Sequence, residues 1–91
     1  MPLQAASTHM LRIERVDEES GKTVRATGRL TGPWVAELDK TMSNYPTGTP
    51  VLIDLTDVSF VDRAGVALLR MLKSRTEVKL RCSAFVAEQI N

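Results

Sequence analysis

Three aspartates, Asp54, Asp57 and Asp62, fall close together in the middle of the chain and are the first candidates for chemistry. An aspartate at the end of a buried strand can accept phosphate when a separate acidic pair holds Mg²⁺ beside it. Here the first strand-like run, Leu11 to Val16, leads into a hairpin and brings no such pair. The Mg²⁺ pocket therefore cannot be assembled, and Asp54 and Asp57 are expected to bond nearby backbone amides, as short acidic side chains readily do. Cys82 alternates with core-type residues and reads as a small buried hydrophobe rather than a nucleophile. The one histidine, His9, stands in a polar leader, so neither a Ser-His nor a Cys-His pair can be built, and a structural zinc site is excluded in practice. Thr47-Gly48-Thr49 lies between prolines and runs into a strand, whereas a phosphate loop opens a helix. Nothing in these groups supports catalysis, and no cofactor or metal is expected.

Asp62 has a second reading, as the N-cap of a helix expected from Arg63 to Ser74. Its negative charge also suits the positive end of that helix. At about 100° per residue, Gly65, Leu68, Leu69 and Leu72 share one face and should bury. Arg63, Ala67, Arg70 and Ser74 lie opposite, with Lys73 at the flank. Gly65 in the first turn allows close approach to a neighbouring element.

The elements that must position this helix follow from pattern. Leu11 and Ile13 alternate with Arg12 and Glu14, and Glu18-Glu19-Ser20-Gly21 supplies a turn. Val24, Ala26, Gly28 and Leu30 then fall on one face of a second strand, giving an antiparallel hairpin with one wet face. Thr31-Gly32-Pro33 breaks the strand, and Trp34, Val35, Leu38, Met42 and Tyr45 recur at helical spacing. Trp34 is expected in core or rim packing, with a contact hot spot as the alternative. Val51 to Leu55 is apolar except at Asp54 and reads as a strand covered on both faces, followed by a loop to Asp62. Val78, Leu80 and Cys82 form a last strand, and Ser83 caps a short helix through Ile90. The order predicts an α/β fold, a mixed sheet of about four strands packed against about three helices through right-handed crossovers.

Length and composition bound the rest. Residues 11–91 suffice for one domain with a modest core, and residues 1–10 read as an unstructured leader, native or left from expression. Lys+Arg 12 against Asp+Glu 11 leaves no strong field for nucleic acid or an anionic membrane. The basic residues are spread without interleaved aromatics, which again argues against nucleic acid. No apolar run approaches the ~18 residues of a membrane span. One cysteine fits a reducing, cytoplasmic setting.

The run Val51-Leu52-Ile53-Asp54-Leu55, followed by Val58, Phe60, Asp62 and Gly65, resembles the central motif of STAS domains, the family of sulphate transporter tails and anti-sigma-factor antagonists. The flanks, Thr27-Gly28-Arg29-Leu30 and the Trp34 helix, agree with it but are generic. The resemblance implies a non-enzymatic protein-binding module in bacterial signalling and regulation of transcription. In phosphoregulated members the corresponding run is Asp-Ser-Ser-Gly, and the serine next to the glycine accepts phosphate, which ejects a partner kinase that is also the anti-sigma factor. Here Asp62 and Gly65 match, Arg63 replaces a small residue, and Ala64 occupies the phosphoacceptor position without a hydroxyl.

The expected docking residues are therefore Ser59, Asp62, Arg63, Ala64, Gly65, Ala67 and Arg70, within a segment spanning 56–70. Arg63 and Arg70 would supply charge complementarity, against the plainer reading of a solvated basic stripe. Thr56 and Ser59 are the hydroxyls nearest the motif and are alternative phosphate acceptors, loop packing being the plainer role. Expected partners are an anti-sigma factor of the serine-kinase type or, alternatively, a membrane transporter such as a phospholipid-transport ATPase. A different class of reading is a small-nucleotide or lipid-binding module with a pocket beside the central loop. Family members usually continue past the last helix, so apolar surface left at Asn91 would call for a partner or a homodimer.

Overall fold

Apolar and polar residues alternate along both strands of an opening hairpin, and the hairpin forms as that pattern requires. The computed structural model describes residues 11–19 and 21–90; the expected leader over residues 1–10 lies outside the described residues, as does Ser20 of the first turn. Strand β1 (Leu11–Glu18) pairs antiparallel with β2 (Gly21–Leu30), setting Leu11 opposite Gly28 and Glu18 opposite Gly21. Val24, Ala26 and Leu30 bury on one face of β2 while Arg25 stays exposed on the other. Gly32 then takes a φ of 54°, which a residue with a Cβ adopts only under strain, and turns the chain into α1 (Pro33–Ser43). Pro33 fits the first helical position because its missing N–H has no partner there anyway. Leu38 and Met42 bury from α1, Trp34 and Val35 pack at the rim of the core, and Tyr45 is buried just past the helix end.

Strand β3 (Val51–Val61) is twice as long as its sequence pattern predicts. The segment 56–61, expected as a loop, remains strand and pairs with β2 as far as Leu30↔Val61. Two register shifts explain the misreading. Arg25 and Thr27 face Asp54 and Asp57, and Gly28 and Arg29 face Val58 and Phe60, so β3 carries one extra residue at each place. Each bulge resets which face the next side chain takes. Ile53, Leu55, Val58 and Val61 all bury against the helices, although the spacing changes from two residues to three.

Helix α2 (Arg63–Lys73), strand β4 (Val78–Cys82) and helix α3 (Ala84–Ile90) complete the order. The Ser83 hydroxyl accepts from the Val86 amide at 3.3 Å, the cap its position predicts. Cys82 is half-buried and packs against the core. The sheet order is β1-β2-β3-β4, with β2, β3 and β4 parallel and β1 antiparallel. Both crossovers step the same way across the sheet, so right-handedness sets α1 and α2 on one face. Helix α3 packs against α2, β3 and β4. The expectation that β3 is covered on both faces is thus corrected: the helices cover one. Leu52 is only half-buried on the other, and Asp54 buries there beneath its own bonding partners.

The far edge of the sheet is held by one polar cluster. Arg15 Nε donates to the Tyr45 hydroxyl at 3.1 Å, which itself donates to Asp17 Oδ1 at 2.6 Å, while Arg15 Nη2 bonds Asp17 Oδ2 at 2.9 Å. The guanidinium also lies 4.7 Å from the Tyr45 ring centre. This ties β1 to the end of α1. Tyr45→Phe keeps the ring but removes the hydroxyl that both charges share. The variant should show faster amide exchange across 11–18 and a lower urea midpoint, with exchange in β3 unchanged.

Candidate functional site

Asp62 ends β3 in an extended conformation, and its carboxylate serves two helices at once. Oδ1 accepts the Gly65 amide at 2.8 Å, capping α2, and Oδ2 accepts the Gly32 amide at 2.9 Å, at the start of α1 thirty residues earlier. Helix α1 has no side-chain cap of its own, so Asp62 supplies it from across the fold. The Asp62 amide donates to the Leu30 carbonyl at 3.1 Å, which closes the junction between the ends of β2 and β3. The Gly32 amide, and then that of Gly65, hold the carboxyl below its ordinary value of 3.8.

Gly65 is required by contact rather than by backbone angle. A Cβ there would stand 2.7 Å from Val61 Cγ1 and 2.9 Å from the Leu30 carbonyl oxygen, closer than carbon atoms tolerate. Asp62 and Gly65 thus perform one task, pressing the first turn of α2 onto the ends of β2 and β3. The buried face of α2 is Gly65, Leu68, Leu69 and Leu72, as the helical projection predicts.

The remaining docking candidates lie outside this junction. Arg63, Ala64, Ala67 and Arg70 are exposed on α2. Arg63, Ala67 and Arg70 form one stripe by their i, i+4, i+7 spacing. Arg70 Nε donates to the Ile90 carbonyl at 3.2 Å, so this arginine also closes the end of α3. Ser59, the extra residue of the second bulge, is exposed and its hydroxyl donates to the Gly28 carbonyl at 3.2 Å. Of the seven candidates, Asp62 and Gly65 are structural supports and five present atoms to solvent.

Asp54 bonds a nearby amide as expected, accepting from Thr56 N at 3.1 Å and from the Thr56 hydroxyl at 2.7 Å. Arg25 Nε lies 3.6 Å from its other oxygen. The Thr56 hydroxyl, first among these, draws the Asp54 carboxyl below its ordinary value. Among the described residues, no group of three or more His, Cys, Asp or Glu is placed to hold a metal ion, and no helix is long and apolar enough to cross a membrane.

Two features escape sequence reasoning. One is the bond from Asp62 to Gly32, which no local spacing encodes. The other is an exposed stack of the Arg29 guanidinium over Phe60, 4.8 Å from the ring centre, on the sheet face away from the helices. The second bulge is what turns Phe60 outward, and it follows a break in the period-two pattern after Leu55. An open cleft of about 350 Å³ among Lys22, Thr23, Leu52, Glu77 and Lys79 lies where β3 and β4 begin, at the opposite end from Asp62.

No protein-family model matches the chain, and no curated protein does. Solved structures do. An antisigma-factor antagonist STAS domain from Rhodobacter sphaeroides superposes with a TM-score of 0.53 at 19% identity, covering 89% of this chain and 91% of that one. An uncharacterized protein with a SpoIIAA-like fold from Shewanella loihica gives a TM-score of 0.54 at 19% identity, covering 81% of this chain and 68% of that one. The fold is therefore α/β of the STAS, or SpoIIAA-like, type. A likeness at that identity extends to the fold.

Two outcomes test the junction. Gly65→Ala should lower stability by about 1–3 kcal/mol through overpacking, overriding the ~1 kcal/mol that alanine gains in a helix, read as a lower urea midpoint at constant slope. Asp62→Asn keeps one acceptor and loses the other, costing about 1 kcal/mol at neutral pH. Because the native carboxyl titrates below 3.8, its contribution is complete above that value and lost as pH falls through the lower folded value. The asparagine variant should show a correspondingly shallower loss of stability between pH 4 and the acid limit, roughly, in urea titrations.

Proposed function

We propose that the chain is a non-enzymatic protein-interaction module that docks a partner through the exposed side of 56–70, centred on Arg63, Ala64, Ala67 and Arg70 with Ser59 at its edge. The supporting observation is the split within the first turn of α2. Asp62 and Gly65 fix the backbone from below, while Arg63 and Ala64 face solvent on a helix that is already ordered. A surface ordered before binding loses little conformational entropy when a partner arrives. The fold likeness to an antisigma-factor antagonist makes an anti-sigma factor of the serine-kinase type the favoured partner, in regulation of transcription in a bacterial cytoplasm.

In this reading the module binds constitutively at the position where phosphoregulated relatives carry serine. Ala64 has no hydroxyl to modify, and Arg63 places a cation where an acidic partner surface would be attracted. Calorimetry with the host's candidate anti-sigma kinases tests it. Arg63→Glu and Ala67→Asp should each weaken binding tenfold or more, with the urea midpoint unchanged for the first and lowered only by the ~0.7 kcal/mol that aspartate costs inside a helix for the second. Affinity that ignores both substitutions would sink the proposal. Arg70 is left intact in this experiment because it also bonds Ile90. In parallel, Ala64→Ser should gain phosphorylation by the partner kinase, and release on phosphorylation would place the docking site at this turn.

A further inference from the structure

The sheet face turned away from the helices carries a charge pattern that docking through α2 leaves unused. Strand register sets Glu14 beside Arg25, Arg25 beside Asp54, and Asp54 beside Arg81, one residue from each strand. The row alternates negative, positive, negative, positive from β1 to β4. Below it lie Val16, Thr23, Leu52 and Lys79, and above it Thr27 beside Asp57, then Arg29 stacked on Phe60. Val16 and Phe60 are 43% and 40% exposed on this face, so accessible apolar surface lies next to the charged row on one side and beyond the Thr27–Asp57 pair on the other.

We propose that this face binds a second copy of the chain, sheet to sheet, about a two-fold axis parallel to the strands and passing between β2 and β3. Rotation about that axis exchanges β1 with β4 and β2 with β3 while preserving each row. Glu14 then meets Arg81 of the second copy at both ends of the row, and Arg25 comes over Asp54. The outer pairs make the direct contacts. Asp54, whose side chain is only 9% exposed, acts through its field. Val16 meets the aliphatic stem of Lys79, and each Arg29 comes over the other copy's Phe60. An axis across the strands through the same row would instead set every charge against itself, so the pattern selects one orientation.

Aligned packing of two twisted sheets, crossing by about 30°, keeps the rows near the axis in register. Four strands at about 4.8 Å spacing and about eight residues at 3.3 Å rise give a face of roughly 500 Å². Two such faces bury about 1,000 Å², the low end for specific interfaces, so the dimer is weak and reversible.

Sedimentation equilibrium from micromolar to millimolar chain tests the proposal. The wild type should associate to a dimer, less tightly at high salt. Glu14→Arg alone and Arg81→Glu alone should each weaken association at least tenfold. An equimolar mixture of the two should recover it, because each altered residue then meets an opposite charge. A wild type monomeric throughout, or a mixture no better than its components, overturns the proposal. Far-UV circular dichroism checks both variants; should a reversal unfold β1, Glu14→Gln removes the same attraction without adding a like charge and must weaken association. Arg63→Glu should leave the dimer unchanged, which separates this face from the docking surface on α2.

Discussion

One carboxylate holds two helix starts together, and the rest of the domain is arranged so that it can. Helices α1 and α2 begin at the same end of the sheet, so their positive ends and unbonded amides come close to one another. Asp62 answers both with opposite oxygens, at 2.8 Å and 2.9 Å. Its own amide is bonded to Leu30, so the carboxylate is carried on backbone that the sheet already fixes. Each cap is worth only about 1 kcal/mol, yet a small domain has about 5–15 kcal/mol in all. The geometry matters more than the sum, since displacing Asp62 would uncap two helices in one step.

The bulges in β3 serve the same junction. A strand of strict alternation starting from Val51, Ile53 and Leu55 would present Val61 to the helices but turn Val58 outward. The two extra residues let both Val58 and Val61 bury and bring the chain to Asp62 beside Leu30. They also determine what is left outside. Ser59 becomes the exposed residue of the second bulge, and that bulge returns Phe60 to the open face beneath Arg29, the side strict alternation would also give it. Register, packing and surface chemistry at this end of the sheet are therefore set by the same insertions.

Local periodicity made α2 legible, down to Gly65, Leu68, Leu69 and Leu72 on its buried side. The same approach failed for β3 beyond Leu55, because a bulge changes the spacing without leaving a glycine or proline to announce it. Leu52 between buried neighbours resembled a strand enclosed on both faces; in fact lateral neighbours across the sheet half-cover it. The capping role of Asp62 toward Gly65 follows from sequence, whereas its bond to Gly32 depends on a right-handed crossover that brings distant residues together. Arg70 illustrates the same limit: its place on the exposed stripe is readable, but its bond to Ile90 arises only when α3 folds back.

This division explains how one turn can combine constraint with freedom. Any side chain at 65 collides with Val61 and Leu30, and any residue at 62 without two acceptor oxygens leaves an amide unbonded. Residues 63 and 64 meet neither condition, since their side chains leave the helix on the solvent side. Serine, alanine or arginine can stand there without disturbing the junction, so the chemistry presented to solvent at this turn is decoupled from the stability of the fold. The open sheet face lies on the other side of the β-layer from the α2 stripe. Pairing through that face would leave both stripes outward, and a dimeric partner able to span them would gain affinity through effective concentration rather than through any additional contact.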